Sequence, residues 1–216
     1  MINNWDSYWG KAANRNFWLE PDKAVVELKE TLDSYGIKDI LDLGCGIGRH
    51  SLYFADFGFN VTAMDSSSEA LAILRQLSIE KGAPVKVIQG DYSQDLFPEE
   101  SFGLVLSFNV LYHGFRDQFH GAVRLIHKWL KPGGLLFFTC PTRRDAKYGN
   151  GEQLSPNTYK PLNSVHPSDI HYFADEADIQ DFLCQYREIS KTIFEHYWDN
   201  KGTKQFSSSW HILARK

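Results

Sequence analysis

Apolar positions along the chain switch repeatedly between helical spacing and short continuous runs. Val25, Leu28, Leu32 and Tyr35 recur every three or four residues behind Pro21, which fits a first-turn position, and Gly36 stops the pattern. The run Ile40-Leu-Asp-Leu43 then reads as a buried strand that breaks off at Gly44, Gly46 and Gly48. A helical pattern (Leu52, Tyr53, Phe54, Phe57) starts at once and ends at Gly58. Phe59 to Asp65 predicts a second strand, and Ser66-x-x-Glu69 predicts a capping box opening a helix with Leu71, Leu74 and Leu77 that closes at Gly82. Val85 to Gly90 reads as a third strand delivering Asp91 and Tyr92 into a loop. Phe102 to Asn109 is continuously apolar, as expected of a parallel strand buried on both faces. Phe119, Ala122, Val123, Ile126 and Leu130 form an amphipathic helix stopped by a Lys131-Pro-Gly-Gly134 turn, and Leu135 to Cys140 is a fifth strand.

Strands alternating with helices imply a parallel sheet with helices on both sides. The end of the chain departs from that rule. After a helix carrying Ile179, Phe182, Leu183 and Tyr186, two β-like runs, 188–198 and 205–215, are separated only by Asp199 to Lys204. So short a connection holds no crossover helix, so these strands are antiparallel neighbours. The expected fold is α/β, a three-layer Rossmann-like sandwich with a mostly parallel seven-stranded sheet ending in an antiparallel β-hairpin.

With 216 residues the chain reads as one domain, 1–216. A net charge of −4 without any basic run speaks against nucleic acid or an anionic membrane surface as partner. Cys45, Cys140 and Cys184 show neither Cys-x-x-Cys spacing nor an even count, so neither a zinc site nor a disulfide framework is expected. The start resembles no signal peptide and no run reaches membrane-spanning length, which predicts a cytoplasmic protein.

The candidate chemistry begins at the glycine loop. A strand, a tight turn and a helix start form a docking place for polar ligand groups, because glycines let main chain approach closely and the helix offers unpaired N–H groups. A dinucleotide fingerprint, Gly-x-Gly-x-x-Gly, needs glycine where Arg49 stands, and a Walker loop needs Gly-Lys-Ser/Thr, which is absent. The pattern Asp42-x-Gly44-x-Gly46-x-Gly48 instead resembles motif I of class I S-adenosylmethionine (SAM) methyltransferases. The resemblance implies that Asp42, Gly44, Cys45, Gly46 and Gly48 line the cofactor and that Asp65, with Ser66 beside it, takes the ribose. A carboxylate is an acceptor-only group suited to a diol. It would serve NAD equally, so Asp65 alone does not separate the two cofactors.

The likeness extends over most of residues 37–140 and the closing hairpin. It implies that Asp91 accepts from the adenine amine, that Tyr92 brackets the ring, and that Phe108 and Asn109 meet the methionine amine and the substrate. Within the superfamily the loop and the final His211-Ile-Leu-Ala-Arg-Lys216 resemble the tellurite-resistance methyltransferases. Residues 141–173, with four of the eight prolines and no period, resemble bacterial and archaeal methyltransferases of unsettled substrate. The division implied is an N-terminal lid and helix (1–36), a cofactor-binding core (37–140), a substrate-lid insertion (141–173) and a helix with the terminal hairpin (174–216).

Aromatic faces attract cations such as a sulfonium, so Trp5, Tyr8, Trp9, Phe17 and Trp18 fit a lid over the cofactor; packing of the extension onto the core explains them equally. Tyr112, His113 and His171 are the catalytic candidates, with Tyr148, Glu152, Tyr159 and His166 as further contacts. His113, His120 and His127 stand seven residues apart, roughly 10 Å on a helix, too far to share one ion, so no metal is expected. The acceptor is expected to be a small molecule carrying a thiol, metalloid oxyanion, amine or hydroxyl, and the protein a monomer or homodimer. Two rival functions stay open: a SAM-binding module working through a partner, and an NAD-dependent oxidoreductase.

Overall fold

In the computed structural model, described for residues 4–16, 18–162, 169–200 and 203–216, helices α1 (Asn4–Trp9), α2 (Ala12–Asn16) and α3 (Lys23–Ser34) lead into β1 (Asp39–Leu43). There follow α4 (Arg49–Asp56), β2 (Asn60–Asp65), α5 (Ser68–Lys81), β3 (Val85–Gln89), β4 (Phe102–Ser107), α6 (Arg116–Trp129) and β5 (Leu130–Pro141). The chain closes with β6 (Glu152–Ser155), β7 (Thr158–Lys160), β8 (His171–Tyr172), α7 (Glu176–Phe182), β9 (Glu188–Asn200) and β10 (Thr203–Arg215). Seven strands form one sheet in the order β3-β2-β1-β4-β5-β10-β9. β1 pairs in parallel with β2 and β4, β2 with β3, and the last two strands run antiparallel as the short connection requires.

Two compact units make up the chain: Met1–Leu106 with Trp129–Gly134, and Ser107–Lys128 with Leu135–Lys216. The core of the first is the apolar run of β1 (Ile40, Leu41, Leu43) with Ala63, Met64, Leu104 and Val105, all at most 1% exposed. In the second, Phe119, Phe138, Tyr172, Phe173 and Phe182 are fully buried or nearly so, and Arg116 of α6 pairs with Asp178 and Asp181 of α7.

Several boundaries differ from the sequence expectation. Ser67, not Ser66, caps α5: its Oγ accepts from Ala70 N–H at 3.1 Å, and Glu69 N–H goes to Asp6 rather than into a box. Pro21 precedes the N-cap Asp22, whose carboxylate accepts from Ala24 N–H, because the aspartate satisfies a free helix-end donor that proline cannot. Lys131 to Gly134 is not a separate turn. The strand runs on from Leu130, bent at Gly133 (φ 75°), and pairing with β10 begins at Leu135. α7 ends before Tyr186, and β9 and β10 extend to Asn200 and from Thr203, beyond the expected connection. Residues 141–162 and 169–173 are not structureless: β6, β7 and β8 form a small antiparallel sheet that satisfies their own main chain. The expected lid residues Phe17 and His166 lie outside the described residues.

Ser67 is buried and its hydroxyl also donates to Asp6 at 2.7 Å, so Ser67→Ala is expected to cost about 1 kcal/mol or somewhat more in urea unfolding. Ser66→Ala should stay within about 0.5 kcal/mol. The reverse order would restore the Ser66 capping box.

Candidate functional site

The loop after β1 is tied to the end of β2. Gly44 and Cys45 N–H both donate to the Met64 carbonyl (2.7 and 3.0 Å), and Gly46 N–H donates to Asp65 Oδ2 at 2.8 Å. Gly44, Gly46 and Gly48 adopt φ of 75°, 54° and 86°, a region costly to residues with a Cβ. Asp65 Oδ1 accepts from Ser67 N–H at 2.9 Å. Burial raises the Asp65 pKa, and main-chain N–H groups of Ser67, Gly46 and Ser66 oppose that by stabilising the anion. Gly90 N–H donates to the Asp65 carbonyl, which brings the end of β3 beside it. Asp91 is exposed and accepts from Ser93 N–H and Oγ, while burial and the neighbouring Asp91 lift the Tyr92 phenol to about 12.

Other residues of the loop have inward tasks. Asp42 is buried, and its Oδ2 accepts from Ser51 Oγ of α4 at 2.5 Å. Cys45 is a buried thiol whose pKa is driven well up by burial and by the Asp65 and Asp42 charges, which makes it a packing group. Gly46 makes room for protein as well: a Cβ there would stand 2.6 Å from Trp9 Cζ2. The segment before α3 therefore lies on the loop, with Asp6 Oδ1 accepting from Ser67 Oγ and Glu69 N–H at the start of α5.

A second group of side chains belongs to the other unit. Asn109, just after β4, has a positive φ of 61°, and its side-chain oxygen accepts from buried Thr139, whose Oγ accepts from Asn109 N–H (both 2.9 Å). Phe108 packs edge-on to His211. His113 and His171 face each other across an isolated antiparallel bridge, and Tyr172 N–H donates to the Tyr112 carbonyl. The Tyr112 ring lies 4.4 Å from that of His113 and 5.4 Å from that of His171. Asp169 Oδ1 is 2.7 Å from His171 Nε2 and 3.9 Å from His113 Nδ1. Burial, then the neighbouring His171, holds the His113 imidazole neutral by lowering its pKa, with Asp169 pulling the other way.

Thus the fold brings Tyr112, His113 and His171 together and adds Asp169, which sequence reading missed. Its signal was Asp169-x-His171: alternate residues of an extended segment share a face. His120 and His127 pack instead against Phe182 and Tyr186. Tyr148 and Tyr159 pack on each other and on Phe173, and Glu152 is exposed.

The residues present fit SAM. A fixed acceptor-only carboxylate stands beside a loop of left-handed glycines, with a second carboxylate, Asp91, at the neighbouring strand end. Among the described residues, no helix is long and apolar enough to cross a membrane.

Burial lifts the Asp42 carboxyl from 3.8 to about 6. The folded chain therefore keeps a proton that the unfolded chain releases, so stability falls as pH rises through that interval and the loss is complete above it. The interval corresponds to about 3 kcal/mol. Asp42→Asn, which can still accept from Ser51, should remove this slope: relative to the parent it gains stability between pH 4 and pH 8 in urea melts. An unchanged slope would show that Asp42 is ionised in the fold without penalty.

Residues 40–134 match a family described as "Methyltransferase domain". The cypemycin N-terminal methyltransferase of a Streptomyces species is 31% identical over 164 residues, 75% of this chain. The chain spans 65% of that relative's length. A SAM-dependent methyltransferase structure from Methanosarcina mazei superposes with a TM-score of 0.71 at 18% identity, over 91% of this chain and 98% of that one. TehB from Haemophilus influenzae does so with 0.67 at 20% identity, over 91% and 62%. Sheet order, glycine loop and sequence matches agree: residues 40–134 match a methyltransferase domain, and the fold is the one seen in SAM-dependent methyltransferase structures.

Proposed function

We propose that this chain transfers a methyl group from SAM to a small-molecule acceptor. The observation that carries the reading is the clamp between the glycine loop and Asp65. Bound SAM supplies a methyl group already activated by its sulfonium. The task left to the chain is orientation and exclusion of water, which for well-aligned pairs is worth about 7–11 kcal/mol.

In this reading the main chain at Gly44, Cys45 and Gly46 receives the methionine part, Asp65 accepts from the ribose hydroxyls and Asp91 from the adenine amine. Asn109, fixed by Thr139, meets the methionine amine. Tyr112 and His113 hold the acceptor, and His171, its ring set by Asp169, takes up the proton. A thiolate or metalloid oxyanion, already ionised, needs only to be held; an alcohol, phenol or protonated amine needs the proton removed as well. Residues 141–173 choose among them, since their small sheet carries His171 and packs Tyr148 and Tyr159 together.

Calorimetric titration should show S-adenosylhomocysteine binding and no NADH binding; the opposite pattern would make the loop a dinucleotide site. Gly46→Asp, which forces a charged side chain into the Trp9 contact at positive φ, should weaken S-adenosylhomocysteine at least about tenfold. Unchanged affinity would move the cofactor elsewhere.

For the best acceptor in a screen of thiols, metalloid anions, amines and phenols, His171→Gln should lower kcat by roughly 10²–10⁴-fold if the accepting atom must lose a proton. S-adenosylhomocysteine affinity should stay within about twofold. A protein that binds the cofactor but methylates nothing in that screen would instead be a binding module working through a partner.

A further inference from the structure

Chain topology gathers three ligand atoms that the seven-residue histidine spacing does not contain. His113 comes from the turn after β4, and Asp169 and His171 from the segment at β8, 56 and 58 positions further on. One nitrogen from each histidine and one Asp169 oxygen lie within 4.8 Å of one another. The placement is a main-chain property: the His113–His171 bridge and the Tyr172 N–H bond to the Tyr112 carbonyl fix the two backbones side by side. Tyr112 packs against both rings and limits their rotation.

We propose that His113, Asp169 and His171 form a binding site for one divalent transition-metal ion of the zinc or cobalt class. At metal–ligand bonds of about 2.0–2.2 Å, ligand atoms in a tetrahedral site stand about 3.3–3.5 Å apart. The two separations from Asp169 Oδ1, 2.7 and 3.9 Å, straddle that spacing, and the histidine nitrogens lie within 4.8 Å of each other, so small side-chain adjustments would close the cluster into a three-ligand shell. Two imidazoles and a carboxylate suit zinc, cobalt, nickel or ferrous iron and disfavour magnesium or calcium, which take oxygen ligands. Three protein ligands leave a tetrahedral ion one open position.

That open position takes an anionic oxygen or sulfur. Resting on the methyltransferase reading, its occupant is the acceptor: the ion holds a hydroxyl or thiol and lowers its pKa, so the proton leaves to solvent before methyl transfer. The nucleophile is then oriented and ionised at once. With the ion bound, the imidazoles act as ligands in place of His171 acting as base, and no separate base of matched pKa is needed.

The test is a titration of the untagged, chelator-treated full chain with Co2+, followed by its visible absorption and by equilibrium dialysis, with Zn2+ as competitor. One Co2+ per chain, with bands of a low-coordinate site that Zn2+ abolishes, is the expected result. His113→Gln, His171→Gln and Asp169→Asn should each weaken binding at least about tenfold, since loss of even an outer-shell partner costs that much. His120→Gln and His127→Gln should leave it unchanged. Far-UV circular dichroism and S-adenosylhomocysteine affinity in the same preparations report folding and the cofactor reading separately from the metal. Absence of stoichiometric Co2+ binding, or binding that survives both His113→Gln and His171→Gln, overturns the proposal. Metal binding without S-adenosylhomocysteine binding would uphold the site and remove only its link to methyl transfer.

Discussion

The first unit depends on a single buried carboxylate. Asp65 ends β2 with its charge largely out of water, a placement that favours the protonated acid unless donors are supplied. Main-chain N–H groups from Ser67, Gly46 and Ser66 supply them. One of these belongs to the glycine loop, so a bond that favours the Asp65 anion also fixes the loop after β1. Gly44 and Cys45 add two more ties to the Met64 carbonyl beside it. Positive φ at three alternate positions is the conformational cost of letting one short loop turn its N–H groups to β2, and glycine keeps that cost small.

The same loop is an anchor for the start of the chain. Trp9 lies where a Gly46 side chain would be, and Asp6 accepts from the first turn of α5. Favourable placement of an acidic group at a helix start and a close aromatic contact with bare main chain hold this segment down. Gly46 therefore has two reasons to lack a side chain, and only ligand binding separates them.

In the second unit, chemistry follows from pairing rather than from sequence neighbourhood. Thr139 fixes Asn109 in a left-handed conformation right after β4. The chain then turns so that His113 meets the strand carrying His171. Asp169 Oδ1 stands within 4 Å of a nitrogen of each imidazole, and Phe119, Tyr172, Phe173 and Phe182 are buried in the same unit. The proposed acceptor and metal chemistry both draw on this one cluster.

The parallel core was legible in the chain because each signal was local. A continuous apolar run such as Phe102 to Leu106 has few alternatives to a strand covered on both faces, and glycines at 44, 46 and 48 demand a tight turn before a helix. The short link after Trp198 by itself required an antiparallel pair. Boundaries were less legible where two neighbours offer the same chemistry: Ser66 and Ser67 are equally good caps, and only the strand end at Asp65 decides which hydroxyl faces the helix. The small sheet of β6 to β8 gave no period because its strands are two to four residues long. Asp169 announced itself in the sequence only by its alternate spacing from His171, since a carboxylate becomes a partner of His113 only through main-chain pairing between segments 56 residues apart. Local propensity and periodicity thus determined the elements and the tight glycine turn, and long-range main-chain pairing, which no short window contains, decided which side chains share a site.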